Sequence, residues 1–244
     1  MARLDGKVIL VTGAGSGIGR ADVLQLVADG ANIVAAEINE DAGRAVAQDS
    51  GAMFVRLDVR DEGAWRDTIG ATIAAFGKLD AVVNNAGITM ITDIETTSIE
   101  DFRAVNAVNV EGTFLGCKHA IAAMRERGGA IVNMSSIAAL RAYPTTPAYT
   151  ASKGAVQALT KAVAGHCLMK GYAIRCNSVH PGGILTPMVE AALERMDPGD
   201  RVHAVKLGRP EDVAKVVSFL VSDDGAHLNG AEIVVDGGHI ILPH

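Results

Sequence analysis

Lys7-Val8-Ile9-Leu10-Val11-Thr12-Gly13-Ala14-Gly15-Ser16-Gly17-Ile18-Gly19 is a short apolar, partly β-branched run that breaks into alternating glycines. The run has the length and composition of a buried strand. From about Gly17 to Asp29 the chain is helical in character, with Gly30 as its stop. Ile18 and Arg20 stand where a strict GxGxxG would need glycine, so the spacing is TGxxxGxG from Thr12 to Gly19. Glycines let a backbone approach a pyrophosphate without a Cβ in the way, and the following helix start offers unpaired N–H groups and a positive dipole end. Gly13, Gly15, Ser16, Gly17, Ile18 and Gly19 are therefore the candidate cradle.

Outward from this turn, strands and helices alternate. Asn32 to Glu37 is a second strand, and Met53–Leu57, Ala81–Asn84, Ala130–Met134, Ile174–Val179 and Glu232–Val235 bring the count to seven. Helical stretches lie at Asp41–Gln48, 62–76, 99–126 and 149–170, and Ser98-Ile99-Glu100-Asp101 resembles a capping box opening the long central one. Strands that are apolar throughout, separated by helices, argue a parallel sheet covered on both faces. The expectation is an α/β fold: one domain over 1–244, built on a doubly wound, Rossmann-like sheet of seven mainly parallel strands with helices on both faces.

The 244 residues are 49% hydrophobic and 20% charged, an ordinary globular balance. Net charge is 22 − 28 = −6, which argues against nucleic acid or an anionic membrane as partner. Cys117, Cys167 and Cys176 form no CxxC pair and suit a reducing compartment as small buried hydrophobes. Met1 to Asp5 carries no apolar signal region and no run of 18 apolar residues occurs, so a soluble cytoplasmic chain is expected. The seven histidines show no HExxH or Cys/His spacing, and no GxSxG surrounds Ser136, so neither a metal centre nor a hydrolase elbow is expected.

Glu37 closes the second strand, 24 residues after Gly13. A carboxylate there can accept hydrogen bonds from both adenosine ribose hydroxyls and would face the extra phosphate of NADP. Ser16, Ile38 and Asn39 around it are neutral, so NAD is the expected cofactor.

Tyr149 and Lys153 stand four apart and share one helix face. A free phenol, with a pKa near ~10, is a poor base at neutral pH. An adjacent ammonium, helped by an oxidised nicotinamide, would stabilise the phenolate and let it take a proton from an alcohol or return it to a carbonyl. Ser136 follows the strand Ala130–Met134, 13 residues before Tyr149, and Asn84-Asn85-Ala86-Gly87 ends another strand at the same carboxyl edge. Asn109 sits mid-way along the long helix, where a buried amide needs a partner.

TGxxxGxG, NNAG, the Asn–Ser–Tyr–Lys set and a Pro-Gly segment, in that order from Leu4 to Gly238, make the chain resemble the short-chain dehydrogenase/reductase family. The resemblance implies that Tyr149 is the general acid/base, with Lys153 on the nicotinamide ribose depressing its pKa. It implies that Ser136, rather than Ser135, bonds the substrate oxygen, and that Asn109 holds a water in a proton relay from Lys153. Asp58 would cap the adenine amino group with Val59 against the ring, while Asn85, Ala86 and Gly87 would line the ribose. In Pro181-Gly182-Gly183-Ile184-Leu185-Thr186, Thr186 would take the carboxamide with Ile184 beside it. His180, just before, is expected to be structural or a cofactor neighbour, without a catalytic role.

A lid is expected at about 186–208, with Met188, Val189, Leu193 and Met196 as an apolar face over the substrate, and Met90, Ile91, Ala138 and Leu140 as further walls. No Arg or Lys cluster marks a phosphate- or carrier-bound substrate, so a bulky apolar ketone or secondary alcohol is expected. More narrowly, Leu115-Gly116-Cys117, Gly171-Tyr172-Ala173-Ile174-Arg175 and His180-Pro181-Gly182-Gly183-Ile184 make the chain resemble bacterial hydroxysteroid and alicyclic-alcohol dehydrogenases. The alternative is a 3-oxoacyl carrier-protein reductase using NADPH. The apolar tail Ile240-Ile241-Leu242 suggests a subunit interface, and the family resemblance implies a homotetramer.

Overall fold

The computed structural model describes residues 3–194 and 207–241. Strand β1 (Val8–Thr12) pairs with both β2 (Asn32–Glu37) and β4 (Ala81–Asn84), so the chain starts in the middle of the sheet and winds outward both ways. Beyond β2 lies β3 (Met53–Arg56); beyond β4 lie β5 (Gly129–Met134), β6 (Ile174–Pro181) and β7 (Glu232–Val235). The order is β3-β2-β1-β4-β5-β6-β7, and every pairing is parallel. Strand order reverses between β1 and β4, which opens a crevice at the carboxyl edge of the sheet.

The helices are α1 (Gly17–Ala28), α2 (Glu40–Ser50), α3 (Glu62–Phe76), α4 (Ile99–Asn106), α5 (Gly112–Met124), α6 (Pro147–Lys170), α7 (Pro187–Glu194) and α8 (Pro210–Val221). Alternate strand residues feed two cores. Ile9 and Val11 pack with Val23, Leu26, Val217 and Leu220 on one face, while Leu10 packs with Val34, Trp65, Val82 and Ile131 on the other. Each such side chain, fully buried, contributes about 1.5–3 kcal/mol. Asp22, on α1, is buried with neither carboxyl oxygen partnered among the described residues, and burial pushes its pKa well above the carboxylate range. Burying a polar group without a hydrogen-bond partner costs stability.

Local signals set the helix ends. Asp61 accepts from the Gly63 and Ala64 N–H groups to open α3, and Gly77 closes it in the left-handed region at φ 74°. Ser98 accepts from the Asp101 N–H at the start of α4. The expected single helix over 99–126 is instead α4, a π-helical turn at Ala107–Glu111, and α5. The π turn admits an extra residue, a register change that apolar periodicity does not reveal, and it carries Asn109. Helix α8 has no counterpart among the expected helices, although Pro210 at its first turn, followed by Glu211 and Asp212, is a start signal. All three cysteines are buried and free. Helix α7 forms the first part of the expected lid; Met196 and the tail residue Leu242 lie outside the described residues.

Candidate active site

The turn between β1 and α1 is shaped by close backbone approach. A Cβ on Gly13 (φ +63°) would lie 2.8 Å from Ala86 Cα, and one on Gly19 would lie 2.1 Å from the Gly13 carbonyl oxygen. Neither position admits a side chain. Thr12 Oγ1 accepts from the Asn85 and Ala86 N–H groups, both at 3.1 Å, and Asn85 Nδ2 donates to the carbonyls of Thr12 (3.0 Å) and Gly13 (3.2 Å). Asn85 thus spends its amide stitching the end of β4 to the turn. Ser16 caps α1 without a side-chain bond and no acidic residue occupies the first turn, so the start of the helix is left open to an anion. Gly13, Ser16, Gly17 and Ile18 line a cleft of about 480 Å³, whereas Gly15 and Gly19 lie behind its wall.

At the adenosine end, Glu37 faces the cleft with its carboxylate bound by backbone. It accepts from the N–H of Gly15 (2.9 Å), Ile38 (2.9 Å) and Asn39 (3.0 Å). A carboxylate offers about four acceptor positions, so roughly one remains for a ribose hydroxyl unless the backbone bonds give way. Asp58 also lines the cleft, but its carboxylate sits in the fork of Arg60, with Nε at 2.9 Å and Nη2 at 2.6 Å, and is held below the usual carboxylate range by that bond. Arg60 is a cation in the lining that the neutral surroundings of Glu37 in sequence did not disclose. Val59 is fixed from below. The Trp65 indole donates to its carbonyl at 3.0 Å, and a Cβ on Gly112 would strike Val59 Cγ2 at 2.7 Å.

Ser136, Tyr149 and Lys153 converge at the other end of the same cleft. The two serines after β5 separate: Ser135 Oγ donates to the Lys153 carbonyl at 2.9 Å, anchoring α6, while Ser136 Oγ accepts from the Ala138 N–H at 3.1 Å and lies beside the Tyr149 phenol. Lys153 is buried; its Nζ donates to the Met134 carbonyl at 2.8 Å and sits 5.4 Å from the centroid of the Tyr149 ring. Burial raises the Tyr149 pKa and the Ser136 hydroxyl pulls it back, while Lys153 sits over the ring face rather than at the hydroxyl.

Asn109 is fully buried beneath these groups. Its Oδ1 accepts from the Ile88 N–H (2.9 Å), and its Nδ2 donates to the Ile88 carbonyl (3.0 Å) and to Ser152 Oγ (2.9 Å). The side chain clamps the Ile88 backbone and α6, and its Oδ1 has a second lone pair beyond the Ile88 bond. A Cβ on Gly87 would lie 3.3 Å from both Asn109 Oδ1 and Lys153 Nζ, so glycine there keeps the three elements close.

Burial lowers the Lys153 pKa from 10.5 to about 8. Between those values the unfolded chain holds a proton that the folded chain has released, so raising the pH favours the fold. Below about pH 8 both states are protonated and the burial cost is constant. Urea denaturation of wild type and Lys153→Met should therefore show wild type gaining on the variant, by about 3 kcal/mol in total, as pH rises from 8 towards 10.5. A constant difference would contradict the buried, charged lysine.

Pro181, Gly182, Ile184 and Thr186 line the cleft beyond Lys153, and a Cβ on Gly17 would meet Thr186 Cγ2 at 3.2 Å, so this segment crosses over the cradle. Met188 and Val189 of α7 add an apolar wall; Leu193 is not in the lining. Met90, Ile91, Ala138 and Leu140, expected as walls, are not brought into it either; Ile38, Ile88 and Met134 are, none of them anticipated. Their only signal was position, each within a few residues of a motif. No group of acidic, histidine or cysteine side chains able to hold a metal occurs among the described residues.

Known proteins are similar to this chain over nearly its whole length. A family model described as enoyl-(acyl carrier protein) reductase matches residues 13–239. The 3-beta-hydroxysteroid dehydrogenase of Comamonas testosteroni is 44% identical, over 96% of each chain. The NADP-dependent (R)-specific alcohol dehydrogenase of Lentilactobacillus kefiri is 40% identical, over 97% of this chain and 98% of that one. The crystal structure of levodione reductase superposes with a TM-score of 0.90 at 32% identity, covering 99% of this chain and 100% of that one.

Proposed function

We propose, from the premise that the chain belongs to the short-chain dehydrogenase/reductase family, that it is an NAD-dependent enzyme interconverting a secondary alcohol and a ketone on a bulky apolar, cyclic or steroid-like substrate. The observation that carries this is the convergence of Tyr149, Ser136 and Lys153 at one end of a cleft whose other end is a glycine cradle with a bound carboxylate.

The residues fit a dinucleotide: the open start of α1 suits the pyrophosphate, Glu37 the adenosine ribose, and Lys153, with two N–H groups beyond its Met134 bond, the nicotinamide ribose. When bound, the oxidised nicotinamide supplies the hydride acceptor and a positive charge close to the phenol. All in the lining, Asp58 and Val59 would border the adenine, Asn85, Ala86 and Gly87 the ribose, and Pro181, Gly182, Ile184 and Thr186 the carboxamide.

In the oxidative direction Ser136 holds the substrate oxygen. Tyr149, as phenolate, takes the hydroxyl proton, and a bound nicotinamide would supply the acceptor for the carbinol hydride, so that the carbon is left as a carbonyl. Burial raises the phenol, and the positive charge that an oxidised nicotinamide would supply acts in the opposite direction. Asn109 keeps the Ile88 segment and α6 in place around these groups.

Met188 and Val189, apolar residues in the lining, favour an uncharged apolar substrate. The similarity to a 3-beta-hydroxysteroid dehydrogenase points the same way. Phe102 and Phe114, exposed on α4 and α5, and the exposed Ile241 favour a homotetramer. No helix among the described residues is long and apolar enough to cross a membrane, and we place the enzyme in the cytoplasm.

A panel of hydroxysteroids, cyclic alcohols and 3-hydroxyacyl thioesters, followed by reduced-cofactor absorbance with NAD and NADP, tests the proposal. Turnover is expected on the steroids or cyclic alcohols with NAD. Better turnover of thioesters with NADP would establish the carrier-protein alternative instead.

A further inference from the structure

His180 sits at the end of β6, fully buried, with both ring nitrogens bonded: Nδ1 lies 3.1 Å from the Ser136 carbonyl oxygen and Nε2 lies 2.8 Å from Ser178 Oγ. A carbonyl can only accept, so Nδ1 carries the hydrogen. Burial lowers the imidazole pKa and keeps the ring neutral, which leaves Nε2 bare and makes the Ser178 hydroxyl its donor. With the ring neutral, the chain runs from the Ser178 O–H to Nε2 at 2.8 Å, in preference to the Ala231 carbonyl at 3.4 Å, and from Nδ1–H to the Ser136 carbonyl.

Its end point is the backbone of the residue placed on the substrate oxygen. The last β5–β6 ladder bond is from the Ser135 N–H to the Val179 carbonyl at 2.8 Å. Beyond it the chain leaves the sheet, and Ser136 is extended at φ −165°, ψ 160° before the turn Ile137–Ala139. The Ser136 carbonyl has two lone pairs: one takes the Ala139 N–H of that turn at 3.0 Å, the other takes His180. Two donors from different elements fix the peptide plane, and with it the direction of the Ser136 Cα–Cβ bond. Without the imidazole, only the local turn would hold it.

We infer that His180 is a positioning residue that aims the Ser136 hydroxyl at the substrate oxygen through the Ser136 backbone, an inference that rests on the function proposed above for Ser136. An oxygen donor placed for the transition state contributes on the order of 10²–10³ to turnover, and angular error in it is felt in kcat before it is felt in cofactor binding.

The test is a double-mutant cycle in the full-length protein, with kcat, KM and NADH affinity measured for each variant. His180→Leu keeps apolar bulk and removes the bond; His180→Asn loses bulk but places an amide N–H near the position of Nδ1. We expect kcat to fall about 10-fold or more in His180→Leu and to recover partly in His180→Asn, even where His180→Asn melts lower, with NADH affinity unchanged in both. In a Ser136→Ala background, His180→Leu should cost less than about 2-fold. Ser178→Ala, a smaller change that frees the tautomer, should lower kcat about 2- to 5-fold, again only when Ser136 is present, and it decides the matter if His180→Leu does not fold. Equal losses with and without Ser136, or activity that follows melting temperature across the variants, would overturn the inference. A wild type with no nicotinamide-linked alcohol oxidation would overturn the functional proposal itself, a separate result.

Discussion

Tyr149→Phe is expected to lower kcat by about 10³ while leaving NADH affinity within about 2-fold of wild type. General acid–base groups contribute on the order of 10²–10⁴, and the substitution removes one oxygen and little else. The ring face that Lys153 approaches at 5.4 Å is retained, and so are the Lys153 bond to the Met134 carbonyl and the Ser135 bond to the Lys153 carbonyl. The cofactor cradle is held by the bonds from Asn85 to the Thr12 and Gly13 carbonyls, which do not involve the phenol. Steady-state turnover together with NADH fluorescence titration separates the two quantities. Residual turnover above a few per cent of wild type would contradict the role given to Tyr149.

Glu37→Gln should shift the ratio of kcat/KM for NAD over NADP towards NADP by about 30-fold or more. Two unit charges about 4 Å apart repel by roughly 4 kcal/mol at an effective dielectric of ~20. Screening at a partly exposed site halves that to about 2 kcal/mol, which is close to 30-fold. Glutamine is the informative replacement because Glu37 also accepts from Gly15, Ile38 and Asn39; the amide oxygen keeps part of that backbone frame while the charge goes. Adding Ile38→Arg supplies a cation where the extra phosphate would lie and should carry the preference further. Arg60 does not already serve that purpose, since its guanidinium is committed to Asp58. An unchanged ratio in the double variant would mean that Glu37 does not set cofactor choice.

Much of the fold was legible because local chemistry and tertiary packing ask for the same thing. Helix α3 is bounded by Asp61 and by the left-handed Gly77, and its expected limits, 62–76, agree with the structure. The strand–glycine–helix unit at Thr12–Gly19 was legible for a related reason: at Gly13 and Gly19 the backbone itself occupies the space a side chain would need. The π turn at Ala107–Glu111 was not, since one extra residue leaves the apolar stripe nearly intact while rotating the helix beyond it. At the site, sequence spacing found Ser136, Tyr149 and Lys153 but could not say how they are oriented. That Lys153 lies over the phenol ring, that Asp58 is held by Arg60, and that Asn109 is bonded to Ile88 and Ser152 are consequences of side-chain packing that residue spacing does not encode. His180 shows the limit most clearly, because nothing in Val179-His180-Pro181 indicates that its partner is the backbone 44 residues earlier.

The phenol is raised by burial in the protein alone, so the proposed chemistry requires that bound NAD lower it. An ultraviolet difference titration of tyrosinate, with and without NAD, on wild type and Tyr149→Phe, measures this directly. The account predicts one tyrosine that ionises at markedly lower pH when NAD is bound and that disappears from the titration in Tyr149→Phe. Titration curves that superimpose with and without NAD would contradict it.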